Sequence, residues 1–306
     1  MYFAFDLPST KLPQQIANEL HALRVACIGS SVNVFVLIDG AFDEGIFSKC
    51  LKGLPRISLY AGTDLEHLGE AAPFLVLVPE MKWEQASWLE ELISVIGNRP
   101  MWSVIASSMD INMLAEHFGR YLVCKTEDSL EWPVRWGDIR VLPELLRSLD
   151  SKLIGELMRP IYRWLAASRT GELLIWSDEE IFDRENLQFE KIPLSDTVFK
   201  QLVDASEADA ILCAVSDTQP ELLKCYLPSE CYRRVSRQLK IADKFNVEQP
   251  RIRQHFATLG LMLHEHLLDA PLIQEILEST SRGFDYITQI EALPDRFWRD
   301  LYTNVR

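Results

Sequence analysis

Residues 102–124, WSVIASSMDINMLAEHFGRYLVC, run from an apolar, β-rich stretch through a helix-like segment into a second β-rich stretch, and this alternation decides the fold class. Trp102 to Ala106 reads as a strand. Met113, Leu114 and Phe118 fall close to a 3.6-residue repeat, so Met109 to Phe118 is predicted to be an amphipathic helix. Asp110 is placed to accept an otherwise unpaired amide of its first turn. Tyr121 to Cys124 then returns to strand composition. Working outward, Val34 to Ile38, Ile57 to Tyr60, Phe74 to Val78 and Trp132 to Trp136 read as further strands. Glu84 to Ile96 reads as another amphipathic helix, with Trp88, Leu92, Val95 and Ile96 on its apolar face. The expectation over residues 1–176 is an α/β lobe, a mixed sheet with flanking helices, in an order that alternation alone leaves open.

The character changes between Leu173 and Pro193, where a short apolar run to Trp176 is followed by SDEEIFDRENLQFEK, strongly charged and without a clean period. The lobe boundary is expected there, giving a second lobe over 177–306. That part reads as helical, through Val198, Leu202 and Ala205, then Tyr232, Val235, Leu239 and Ala242, then Ile252, Phe256, Leu259 and Leu263. Pro220, Pro228, Pro250 and Pro271 sit between or at the starts of these runs, where a missing backbone donor costs least. An irregular helical bundle is expected. No repeat of fixed period and no low-complexity tract is present.

Composition narrows the function. At 306 residues and 48% hydrophobic the chain has material for more than one core. A net charge of −14 opposes a phosphate-tracking surface, so nucleic acid is not an expected partner. The N-terminal MYFAFDLPSTKLP lacks the pattern of a secretory leader, and apolar runs such as Phe74 to Val78 are far shorter than the roughly 20 residues a membrane-spanning helix needs. A soluble, cytoplasmic protein without membrane insertion is expected. Cys27, Cys50, Cys124, Cys213, Cys225 and Cys231 show no metal or redox spacing and are expected to be reduced, mostly buried thiols.

The sequence carries no Gly-rich phosphate loop, no Gly-x-Ser-x-Gly elbow and no His-Glu-x-x-His pair. Asp39, Asp43 and Glu44 cluster after the strand Val34 to Ile38, where α/β enzymes often place acids or metal ligands. Asp39 before Gly40 is also what a strand-to-helix turn requires, and capping is the favoured reading. His264 and His266 are two residues apart and would point to different faces of a helix, which opposes a metal site. His67 and His117 stand alone and read as surface or satisfied structural histidines. No catalytic residue, metal or cofactor is expected.

The stretch most suggestive of recognition is WPVRWGDIRVLPELLRSLD, residues 132–150. Strand alternation would put Trp132, Val134 and Trp136 on one face and Pro133 and Arg135 on the other. Arg135 and Arg140 can grip Asp138 or a partner carboxylate through bidentate hydrogen bonds; an internal Arg135–Asp138 bridge fixing the corner competes with the partner role. In the second lobe Arg233, Arg237, Lys240 and Lys244 recur opposite the apolar stripe and either receive an acidic partner segment or form a solvated helix face. The candidate partner-binding residues are Tyr60, Trp132, Arg135, Trp136, Asp138, Arg140, Arg233, Arg237 and Lys240.

An ordered set of segments resembles one known family. LIDGA (Leu37 to Ala41), LPRISLYAGT (Leu54 to Thr63), APFLVLV (Ala72 to Val78), Trp102, Ser107 to Ser108, VRWGDIRVLPELLRSL (Val134 to Leu149) and PIYRWL (Pro160 to Leu165) follow in order. They resemble the bacterial type VI secretion effector chaperones or adaptors defined by domain of unknown function 4123. Ile139 stands where that family tends to show proline, and Arg159 where glycine is common. The likeness spans Asn33 to Trp176, with a looser one over Ala242 to Leu277. It implies a non-enzymatic cytoplasmic adaptor that binds a toxin effector, through an amphipathic or apolar segment, and helps load it onto the secretion spike protein. Two other readings remain open: a small-molecule α/β enzyme using the acids near Asp39, and an immunity or scaffold protein.

Overall fold

The computed structural model describes residues 2–28, 31–43, 45–49, 51–83, 86–177, 191–263 and 270–303. Glu44, Cys50, the charged stretch after Ser177 and the His264–His266 pair lie outside the described residues. Nine strands are described: β1 (Asn33–Asp39), β2 (Arg56–Ser58), β3 (Pro73–Val78), β4 (Trp102–Ser107), β5 (Val123–Thr126), β6 (Glu131–Pro133), β7 (Ile161–Ala167), β8 (Leu173–Ser177) and β9 (Ile192–Leu194). Two compact units are formed, one from Phe5–Ala205 and one from Met1–Ala4 with Ser206–Arg306. The division falls inside the helix Asp196–Thr218, while the change of sequence character at Leu173 to Pro193 lies within the larger unit.

In the larger unit a six-stranded sheet has the order β2-β3-β1-β4-β7-β8, every neighbouring pair antiparallel. The mixed character sits in a second sheet, β6-β5-β9, where β5 pairs antiparallel with β6 and parallel with β9. β1 is central because Val34 to Ile38 is apolar without interruption, as a strand covered on both faces must be. Val36 lies opposite Val76 on one side and Val104 on the other. Helix Leu12–Ala26 packs on helix Ala86–Ile96 and on β7 and β8, and helix Ile111–Gly119 packs on β2 and β3. Asp110 caps the last of these as expected, its carboxylate accepting from Asn112 N and Met113 N at 2.9 Å each. At Ala106/Ser107 the β4–β7 register shifts, and the buried Ser107 hydroxyl is satisfied there, donating to Pro160 O at 2.6 Å and accepting from Met109 N at 3.1 Å.

Three of the expected strands have a boundary shifted by two residues or more. β2 ends at Ser58 and β5 begins at Val123, shifts of two residues. The larger difference is β6, which stops at Pro133 instead of running to Trp136. Proline cannot donate to a ladder; Val134 N still donates to Leu122 O at 2.8 Å, and beyond it the chain enters a turn.

The smaller unit is helical. Helices Pro228–Lys244 and Pro250–Met262 pack together, and Pro271–Ser281 packs on Tyr286–Glu291. Pro220, Pro228, Pro250 and Pro271 all occupy the first turn of a helix, as their chemistry favours. One core gathers Leu212, Val215, Cys231, Val235 and Leu261, and another gathers Ala242, Phe256, Leu277 and Tyr286. Gly260 permits the first helix pair to approach closely, since a Cβ there would lie 2.6 Å from Gln238 Cγ. Among the described residues no cysteine is in a disulfide; Cys124 and Cys231 are buried, Cys27 and Cys213 half-buried, and Cys225 exposed.

Candidate functional site

The end of β1 and the turn after β6 meet at a corner of the larger unit. Asp39 closes β1 and is fully buried, and a buried carboxylate requires partners. Its Oδ1 accepts from Ala41 N at 3.1 Å, capping the short 3₁₀ turn Gly40–Phe42, and its Oδ2 accepts from Arg135 Nε at 2.8 Å. Burial pushes the Asp39 carboxyl above the ordinary carboxylate range, against the pull of Arg135. The capping expected from the sequence is therefore half of its role.

Two glycines make this approach possible. A Cβ on Gly40 would lie 1.9 Å from Glu70 O, and one on Gly137 would lie 2.8 Å from Asp39 N and 2.9 Å from its Cβ. The turn carrying Arg135 is held by its own backbone, with Asp138 N donating to Arg135 O and Val141 N to Asp138 O, each at 3.0 Å, and by Ile139 N donating to Pro100 O at 3.0 Å. Asp138 is buried and engaged by Arg140: its Oδ1 accepts from Arg140 N and Nε at 3.0 Å, and its Oδ2 from Arg140 Nη2 at 2.8 Å. In place of an Arg135–Asp138 bridge, one of the two alternatives open from the sequence, there are two pairs, Arg135–Asp39 and Arg140–Asp138, the second of which the sequence allowed. The planar fork of Arg140 finds its carboxylate two residues away, which leaves Arg135 for Asp39.

Phe42 completes the corner. Its ring centroid is 5.0 Å from the Arg135 guanidinium carbon and 5.2 Å from that of Arg140, within cation–π range of both. Tyr60 is buried and close enough that the Asp39 charge acts on it; burial first, then that charge, push its phenol up to about 12. Tyr60, Arg135, Asp138 and Arg140 are thereby brought together. Trp136 is not among them: it is fully buried, its Nε1 donates to Tyr121 O at 2.7 Å, and it packs with Phe118 and Trp164. Trp132 remains exposed, its ring 5.6 Å from that of Phe199 at the start of the long helix. Only Val134 and Trp136 face the core as strand alternation predicted; the early end of β6 separates Trp132 from them.

Arg233, Arg237 and Lys240 lie on helix Pro228–Lys244 of the smaller unit. Arg233 is held by Glu230 through two hydrogen bonds, at 2.6 and 2.7 Å, while Lys240 and Lys244 are exposed. Of the acids considered for chemistry, Asp43 accepts from Gly45 N and Lys49 Nζ, both at 2.9 Å, and from Arg99. The Lys49 hydrogen bond is the main reason its carboxyl is held down at about 2. Asp39 and Asp43 are thus both committed to internal cations. His67 and His117 each contact a backbone carbonyl, Asp64 O at 2.8 Å and Leu157 O at 2.9 Å. No cluster of His, Cys, Asp and Glu suited to a metal occurs among the described residues, and no described helix is long and apolar enough to cross a membrane.

The residues of the corner all fall in one stretch that has relatives elsewhere. Residues 34–154 match the family described as Domain of unknown function (DUF4123). The DUF4123 segment begins in β1, ends inside the helix Ser151–Met158, and contains Asp39, Phe42, Tyr60, Arg135, Asp138 and Arg140. The looser likeness over Ala242 to Leu277 lies outside it. No curated protein and no solved structure matches the chain.

Sequence reasoning missed Asp39 as the partner of Arg135, and Phe42 altogether. A carboxylate ending an entirely apolar strand was a usable signal, because its burial demands a cation.

Proposed function

We propose that the chain is a non-enzymatic cytoplasmic adaptor that binds a type VI secretion effector, a toxin, and promotes its loading onto the secretion spike protein. The observation that carries this reading is the DUF4123 match over the whole stretch that builds the corner, a family associated with such adaptors. Two structural features support it. Of the acids clustered after β1, the two among the described residues, Asp39 and Asp43, serve as partners of arginine and lysine. The same unit also carries a cleft of about 370 Å³ of mixed character, lined by apolar Leu146, Ile154, Met158 and Trp176 and by polar Arg147 and Ser177. Apolar burial there, at roughly 25 cal/mol per Å², suits an amphipathic segment of a client.

The test is affinity purification of the full chain from its native bacterium, followed by mass spectrometry. Recovery of a toxin effector, with or without a spike protein, is expected; recovery of neither, at normal expression, sinks the proposal.

A further inference from the structure

Arg135 uses only part of its hydrogen-bonding capacity. Its Nε is taken by Asp39 Oδ2, yet its Nη1 and Nη2 donate to no group among the described residues, and its side chain is 37% exposed. A guanidinium offers five N–H donors in a rigid fork, so the two-nitrogen outer edge remains available. Arg140, by contrast, is occupied by both carboxylate oxygens of Asp138. The Arg135 head is also fixed in place, by the fully buried Asp39 on one side and the Phe42 ring against it. Rotamer freedom that a surface arginine would lose on binding has already been lost on folding.

We propose that the Nη edge of Arg135 is a preformed anchor for one acidic side chain on a partner protein, with Phe42 and the Tyr60 hydroxyl beside it. This rests on the adaptor reading and names where the client is gripped. The donors point to a carboxylate, because a paired guanidinium edge matches its two oxygens. They point to a side chain and not to a chain terminus, which is usually captured by a run of free backbone amides. At this corner the amides of Ala41, Asp138, Arg140 and Val141 are all used internally. The chain's net charge of −14 repels an acidic surface, so the fit is to a single carboxylate on a segment otherwise neutral or basic.

The experiment uses the full chain labelled with ¹⁵N-arginine, with the Arg135 Nε–Hε resonance assigned by its absence from a folded Arg135→Lys variant. Three blocked probes are titrated at constant ionic strength: acetyl-Gly-Glu-Gly-amide, acetyl-Gly-Gln-Gly-amide, and acetyl-Gly-Gly-Gly with a free C-terminus. The Glu probe is expected to shift the Arg135 resonance saturably, with an affinity roughly tenfold above the Gln probe, as a charge-assisted pair exceeds a neutral one, and at least equal to that of the free C-terminus, which finds its usual backbone amides already used here. Equal shifts with Glu and Gln probes, no shift at Arg135, or preference for the free C-terminus would each overturn the proposal. Because the probes need no client, the result is independent of affinity purification. If wild type captures an effector and Arg135→Lys captures it equally well, the adaptor reading stands and the anchor falls.

Discussion

Replacing Gly40 by alanine perturbs the joint on which the corner depends. The new Cβ would lie 1.9 Å from Glu70 O, 3.0 Å from Ala72 O and 3.1 Å from Glu70 C, all backbone atoms that cannot rotate away. Reaching even 3.0 Å from Glu70 O requires a displacement of about 1.1 Å, the difference between 3.0 and 1.9. That movement breaks the Gly40 N to Ala72 O hydrogen bond, now 3.0 Å, and drags the adjacent Asp39. Overpacking costs about 1–3 kcal/mol and a buried amide left without its acceptor about 1–3 more, so a loss of roughly 2–6 kcal/mol is expected. For a unit of this size each kcal/mol lowers the melting temperature by roughly 2–4 °C, giving a fall of roughly 4–24 °C. Gly45→Ala is the control, because the nearest atoms its Cβ would meet belong to the side chains of Asp43 and Lys49, at 3.1 Å and beyond, and not to backbone. Thermal unfolding followed by tryptophan fluorescence reports on this unit through the buried Trp102, Trp136 and Trp164. A Gly40→Ala protein melting within about 2 °C of wild type, or a Gly45→Ala protein falling as far, would refute the reasoning.

Three further outcomes are expected. Gly137→Ala pushes the Arg135 turn off Asp39, and should cost about 1–3 kcal/mol and weaken recovery of the effector, measured by denaturant unfolding and by affinity capture. Gln238 is fully buried with both amide atoms unpaired among the described residues, so Gln238→Met should raise stability by about 1–2 kcal/mol; a destabilised variant would show that the amide has a partner. Burial, the largest influence on His117, holds its imidazole below the usual range and neutral in the fold. Its contribution is therefore complete above the unfolded value of 6.5 and is lost as pH falls through the lower folded value. His117→Gln should lack this acid-side loss; parallel stability curves for variant and wild type below pH 6.5 would contradict it.

The parts of the fold legible in the sequence were those with a local cause. β1 and β3 hold unbroken apolar runs, β4 is a β-rich run broken only by Ser103 before its closing Ser107, and the Asp110 cap needs only the first turn of its own helix. β7 was not among the strands read from the sequence: Tyr162 and Arg163 interrupt its apolar run, and their place is set by pairing with β4 and β8. The same distinction divides the site. Arg140 and Asp138 are two residues apart and their pairing has a local geometry, whereas Arg135 and Asp39 are 96 residues apart and meet only once the sheet has formed. The basic stripe of helix Pro228–Lys244 was visible as a pattern, but not the use of Glu230 to hold both Arg233 and Arg234.

The proposed adaptor role is tested most directly by co-expressing the full chain with the gene of a toxin recovered by the affinity purification and measuring soluble toxin and its co-elution with the chain. The account predicts more soluble toxin, eluting with the chain. A toxin whose solubility is unchanged and which elutes alone would contradict it, and suppression of toxicity in that setting would favour an immunity protein.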